Sequence, residues 1–141
     1  MKEMPSPLLT IQILDALHSV EDHLEAALDP LGLSLAKLNV LSKLESAGEP
    51  LPLGTLAERC ACVRSNITQL VDRLAAEKLV VRSDDPRDRR SIRAELTAEG
   101  RSRQATGLAA LLEAERALVA RIPRGHREAF LESLEALRGE S

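Results

Sequence analysis

Arg64-Ser65-Asn66-Ile67-Thr68-Gln69-Leu70-Val71-Asp72-Arg73-Leu74, then Leu79-Val80-Val81-Arg82, then Asp84-Asp85-Pro86-Arg87-Asp88-Arg89-Arg90, are three successive pieces of one basic segment, and each has its own period. In the first, Ile67, Leu70, Val71 and Leu74 recur at helical spacing, so a helix is expected over 64–77 with those four facing a core. Arg64, Ser65, Thr68, Gln69, Asp72 and Arg73 then project to solvent or to a partner. The second piece is short and β-branched, and Ile92-Arg93-Ala94-Glu95-Leu96 beyond the third alternates strictly. Strands over 79–82 and 92–96 make a hairpin. Its polar connection, 83–90, is too long for a two-residue turn, so the tip is expected to protrude.

Upstream, Leu9, Ile13, Leu17, Val20, Leu24, Leu28 and Leu31 recur at steps of 4, 4, 3, 4, 4 and 3, an amphipathic helix over 7–29 ended by Pro30 and Gly32. Ser34 caps a second helix over 34–46 through Leu35, Leu38, Leu41 and Leu44. A short third helix over 53–60 buries Leu53, Leu56 and Ala57, and a tight turn follows at Ala61-Cys62-Val63. Downstream, Thr97 caps a fifth helix running to about residue 121, with Leu108, Leu111, Leu112, Leu118, Val119 and Ile122 on one side. After Pro123 and Gly125 a last helix carries Phe130, Leu131, Leu134 and Leu137. The expected fold is mainly α with a small β-hairpin wing: a winged helix-turn-helix over 34–100 between dimerisation helices at 1–33 and 101–141, in one folded unit.

Composition narrows the partners. One Phe and no Tyr or Trp exclude aromatic stacking platforms for single-stranded nucleic acid and make an aromatic-lined sugar or base pocket implausible. Net charge is −3, but it is unevenly placed: residues 1–58 carry 3 basic and 9 acidic side chains, whereas 59–93 carry 9 and 5. A basic stretch in an acidic chain is the electrostatic footprint of a nucleic-acid contact or a solvated charged face. No apolar run reaches membrane-span length, and Thr10, Gln12 and Asp15 interrupt the N-terminal apolar residues, so a cytoplasmic protein is expected. Two cysteines one residue apart cannot staple a fold, which agrees with a reducing compartment.

The B-DNA major groove admits one α-helix. Arg64, Ser65, Asn66, Thr68 and Gln69 cluster in the N-terminal half of the fourth helix; Arg forks to guanine, and Asn or Gln pairs with adenine. Arg87, Arg89 and Arg90 at the hairpin tip suit a narrow minor groove, whose negative potential attracts guanidinium without a base-specific bond. Asp88 among them is expected to pair with a neighbouring arginine and aim it.

These residues resemble the MarR family of bacterial transcriptional regulators. The similarity is densest from Leu56 to Gly100: Leu56-Ala57-Glu58-Arg59, Asn66 through Leu74, Leu79-Val80-Val81-Arg82, and Asp85-Pro86-Arg87-Asp88-Arg89-Arg90-Ser91 before Leu96-Thr97-Ala98-Glu99-Gly100. The resemblance implies an obligate dimer built from the first and last helices, bound to a short palindrome of double-stranded DNA, with Asp88 and Arg90 in the minor-groove contact. It further implies a repressor relieved by a small molecule or an oxidant, with aromatic acids seated between the dimer helices and the winged region. Where the family places a glycine and then a capping Ser or Thr in the turn, this chain has Ala61 and Val63. Independently of the resemblance, the long leucine stripes of the terminal helices exceed what the small winged core covers, and a second copy is the simplest cover.

Cys60 and Cys62 are the candidate redox sensor: near Arg59, Arg64 and a helix N-terminus, a thiol would be acidified, whereas a buried pair would be inert. No metal site is expected. His18 and His23 stand about 140° apart around a helix and do not converge on one ion. No phosphate loop, GxSxG, HExxH or paired Cys-x-x-Cys is present, so neither enzymatic activity nor a cofactor is expected. The competing assignment is a winged-helix module that meets another protein and not DNA; steep weakening by salt distinguishes DNA binding.

Overall fold

The computed structural model describes residues 6–62 and 64–139. Its core is aliphatic throughout: Leu28, Leu41, Leu56, Ile67, Leu74 and Leu79 are completely withdrawn from solvent, with Val40 and Val71 beside them. Helix α1 (Ser6–Leu28) runs through a 3₁₀ turn at Asp29–Leu31 into α2 (Leu35–Ala47), which starts where the Ser34 hydroxyl accepts the Lys37 amide at 3.1 Å. Strand β1 (Leu51–Pro52) and α3 (Leu53–Arg59) lead to α4 (Arg64–Ala76). Strands β2 (Val80–Asp85) and β3 (Asp88–Leu96) form the wing, and α5 (Ala98–Val119) and α6 (Arg127–Arg138) complete the chain.

The sheet has three strands in the order β1-β3-β2, all antiparallel, with Leu51 opposite Ala94 and Val80 opposite Leu96. A two-residue strand containing proline has no period to read, so β1 is invisible in the sequence; Pro52 is tolerated because β1 is an edge. The hairpin corrects a second expectation. The connection over 83–90 is not a long loop: the strands continue to Asp85 and resume at Asp88, leaving Pro86 and Arg87 as a two-residue turn. The register breaks between Asp84, opposite Ile92, and Asp85, opposite Asp88, and this irregularity absorbs the extra residues of β3.

Both helices of the helix-turn-helix end in the same way. At the end of α3 the Cys62 amide donates to the Ala57 carbonyl and the Ala61 amide to Glu58. At the end of α4, Leu79 donates to Leu74 and Lys78 to Ala75. These are Schellman motifs, which need a left-handed residue at the position that glycine usually fills. Here Ala61 (φ 53°) and Lys78 (φ 63°) occupy it.

Helix α5 seats the wing. The Thr97 hydroxyl accepts the Gly100 amide at 2.9 Å and donates to the Lys78 carbonyl at 2.8 Å, tying the end of α4 to the start of α5. Gly100 lies so close to β2 that a Cβ there would come within 1.9 Å of the Leu79 carbonyl oxygen. Farther along, a Cβ at Gly107 would fall 2.7 Å from Leu33 Cδ1, where α5 crosses the leucines of the α1–α2 connection. Gly100→Ala is expected to destabilise the fold by about 1–3 kcal/mol or more, because a backbone carbonyl cannot rotate away as a side chain can. A urea midpoint equal to that of the parent would contradict this packing.

Candidate nucleic-acid interface

Ile67, Val71 and Leu74 bury one side of α4 entirely. Ser65, Asn66, Gln69, Asp72 and Arg73 then share a sector of about 120° on the other side, at about 100° per residue. All five are exposed; Thr68, expected beside them, is half-buried at the edge of the sector. Arg64 opens the helix as expected, but its side chain and the whole of Val63, with the cap position it would occupy, lie outside the described residues.

Two ion pairs aim this helix. Arg82 of β2 pairs with Asp72, joining the wing to the outer edge of α4. Lys37 of α2 pairs with Glu77 just past its C-terminus at 2.9 Å. Partly exposed pairs of this kind contribute about 0–1 kcal/mol, so they fix orientation more than stability. They also change the charge balance at the surface. Of the five acidic residues in the basic segment, Asp72 and Glu77 are neutralised by these partners, and two others are engaged at the wing tip. The link role of Asp72 and Arg82 was illegible in sequence because the two belong to different elements.

At the tip, Asp85 accepts the Arg87 amide at 2.9 Å and Asp88 accepts the Arg90 amide at 3.0 Å. Asp88 therefore shapes the backbone and does not hold a guanidinium fork, contrary to the expectation from sequence. The carboxylate reaches an amide two residues on more easily than a long flexible side chain, as Asx turns do. Arg87, Arg89 and Arg90 are exposed, and none makes an ion pair among the described residues.

Cys60 and Cys62 stand apart from the wing, in the turn before α4. Cys60 ends α3 and packs into the core, and Cys62 is half-buried with its Sγ donating to the Cys60 carbonyl at 3.4 Å. Burial pushes the Cys60 thiol above its ordinary value; the neighbouring Cys62 adds to this and Lys43 partly opposes it. Of the two alternatives the sequence leaves open, Cys60 takes the buried one: it sits at a helix C-terminus facing apolar side chains and is not acidified. On α1, His18 hydrogen-bonds the Leu14 carbonyl through Nδ1 at 2.8 Å. Among the described residues no helix is long and apolar enough to cross a membrane.

The MarR family model matches residues 31–91, the stretch that contains α2, the turn, α4 and most of the wing. In that stretch the chain is similar to the MarR family. Among relatives, the HTH-type transcriptional regulator MhqR of Bacillus subtilis is 30% identical over 92 residues, 65% of this chain. That match takes in 63% of MhqR, so the chain spans less than two thirds of that relative. Among solved structures, a MarR-family regulator from Rhodococcus sp. RHA1 superposes with a TM-score of 0.79 at 24% identity, covering 99% of both chains. CouR from Rhodococcus jostii RHA1, solved with p-coumaroyl-CoA, gives 0.75 at 26% identity, covering 94% of this chain and 93% of CouR.

Two surfaces of this chain went unread in the sequence. A hollow of about 480 Å³ lies between α2 and α5, lined by Leu35, Leu38, Asn39, Ser42, Leu108 and Leu111. A more apolar one of about 560 Å³ lies between α1 and α5, with Phe130 of α6 at its edge. Hollows assembled from separate helices leave no local sequence signal. The turn yields a prediction: Ala61→Gly relieves a left-handed alanine, which costs roughly 1–2 kcal/mol, against the entropy glycine adds to the unfolded chain. The net expectation is stabilisation by about 0.5–1 kcal/mol in urea unfolding, and a lower midpoint than the parent would contradict the geometry of this turn.

Proposed function

We propose that the protein is a homodimeric regulator that binds palindromic double-stranded DNA and represses by covering a promoter. In this scheme α4 enters the major groove with Arg64, Ser65, Asn66, Thr68, Gln69 and Arg73 towards the bases. Arg87, Arg89 and Arg90 enter the adjacent minor groove, with Asp88 shaping their strand. The observation that carries the proposal is the exposed polar sector of α4, locked by the Asp72–Arg82 link to a wing whose tip arginines, Arg87, Arg89 and Arg90, make no ion pair among the described residues. A surface built to meet a protein would not need its acids neutralised and its arginines left open. DNA does, because affinity for phosphates comes from net positive charge at the contact.

Residues 1–33 and 101–141 supply the dimer arms in this proposal, and 34–100 the DNA-binding unit. The support is the apolar surface the single chain leaves in water. On α6, Phe130, Leu131, Leu134 and Leu137 are 47%, 59%, 38% and 63% exposed, and on α1 Leu9, Ile13, Leu17 and Val20 are exposed as well. Each leucine buried by a second copy is worth roughly 1.5–3 kcal/mol. Two-fold symmetry then sets the two α4 helices about one DNA turn, or a multiple of it, apart. Relief by a small molecule belongs to the same proposal, with the α2–α5 hollow as its seat, between a helix of the DNA-binding unit and an arm. Its volume suits an organic ligand, and the ligand-bound form of CouR supports the class of response. Work on the chromosome places the protein in the cytoplasm.

Genomic fragments that co-purify with the protein provide the DNA for the test. Arg90→Ala is expected to weaken binding to every sequence and to flatten the salt slope by about one unit, whereas Gln69→Ala costs about 1–3 kcal/mol at particular base pairs. Binding that ignores salt, or an unchanged affinity in both variants, would overturn the DNA contact and favour the protein-binding alternative. Leu131→Glu should convert the dimer to a monomer in sedimentation while leaving the helical signal intact. A parent protein that already sediments as a single chain would refute the arms.

A further inference from the structure

The turn between α3 and α4 holds both thiols of the chain, one residue apart, and neither is absorbed by the DNA-binding surface. Their α-carbons can be no more than about 7.6 Å apart, twice the step between consecutive residues. The Schellman turn folds the chain back between them, through right-handed Cys60 and left-handed Ala61. Cys62 Sγ lies over the Cys60 carbonyl at 3.4 Å. Cys60 is closed off by the core, but Cys62 is half-buried and leaves one sulfur approachable.

This combination disfavours oxidation by peroxide, which needs an exposed thiolate. It suits a different chemistry, that of a thiophilic centre which takes two sulfurs from one chain without electron transfer. We propose that Cys60 and Cys62 form a dithiol clasp for trivalent arsenic, and that closing the clasp displaces α4. With a monosubstituted arsenical bearing one oxo group, two S–H bonds and the As–O bond give two S–As bonds. The two protons leave with the oxygen as water, and no atom changes oxidation state. Cys62 reacts first; once it is bound, the arsenic meets the second sulfur at the high effective concentration of an intramolecular partner.

The coupling to α4 follows from where Cys60 sits. It packs among the buried residues that also hold Ile67, Val71 and Leu74 of α4. Cys62 packs against the same cluster, so a ring closed across the two sulfurs must rearrange the packing around Cys60. Ala61 between them is already left-handed and has little freedom to absorb the shift. Burial and the neighbouring Cys62 hold the Cys60 thiol above its ordinary value, with Lys43 of α2 partly opposing them, so Cys60 is the sulfur that closes the ring and not the one that opens the reaction. The consequence for DNA rests on the function proposed above; the clasp itself does not.

The test uses the whole protein, reduced, with phenylarsine oxide as the probe. Mass spectrometry should find one phenylarsenic group per chain, with both thiols shielded from iodoacetamide. The adduct should survive excess monothiol and be removed by a dithiol. Cys62→Ser, at the half-buried position, and Cys60→Ala, which keeps the core apolar, should each lose at least tenfold in affinity and yield to monothiol. Hydrogen exchange in α4 should rise on binding in the parent and stay unchanged in the variants. No adduct, an adduct stripped by monothiol, or binding that survives either substitution would overturn the clasp. An adduct with α4 exchange unaltered would overturn the displacement. On genomic fragments selected by the protein, the arsenical should lower affinity at least tenfold in the parent alone. A parent that binds no DNA at all refutes the proposed function, while the adduct and exchange results still decide the clasp.

Discussion

Ile67, Val71 and Leu74 lose all contact with water, and the rest of the molecule is arranged around that burial. A helix carrying Arg, Asn, Gln and Asp on one side gains nothing from displaying them unless its other side is held. The hydrophobic effect supplies the holding force but no direction. Direction comes from the polar links at its edges: Asp72 to Arg82 on the wing and Glu77 to Lys37 on α2. The same helix is therefore fixed in depth by leucines and in rotation by charges.

Close backbone approach does what side chains alone could not. The contact between Gly100 and the Leu79 carbonyl lets α5 lie directly on the junction between α4 and the wing, and Thr97 bonds both to Lys78 at the end of α4 and to Gly100 of α5. A movement of α5 is thus a movement of α4 and the wing. Since α5 also lines both hollows, a ligand in either one acts on the helix that seats the wing. At the other end of α4, the turn has no glycine and holds an alanine in a left-handed conformation. The chain keeps a strained residue between two cysteines, at the entry to α4.

Helix α6 presents the opposite case. It is amphipathic, begins and ends where the residues demand, and buries nothing. Its apolar stripe has meaning only against something outside the single chain. The same is true of the first half of α1, whereas Leu28 at its end is fully inside the core.

Periodicity alone determined the helices, the capping roles of Ser34 and Thr97, and the two main wing strands, because each depends on residues within a few positions of one another. The polar sector of α4 was legible for the same reason: its buried and exposed faces repeat along one short stretch. The tertiary structure decided what depends on residues distant in sequence. It added β1, recruited by β3 across more than forty residues, and shortened the wing turn through Asp85 and Asp88. It paired Asp72 with Arg82, and it turned Cys60 into the core, where burial raises a thiol that local charges would have lowered. Local pattern reports which face is apolar; only the folded chain establishes what that face, or a charge beside it, will meet.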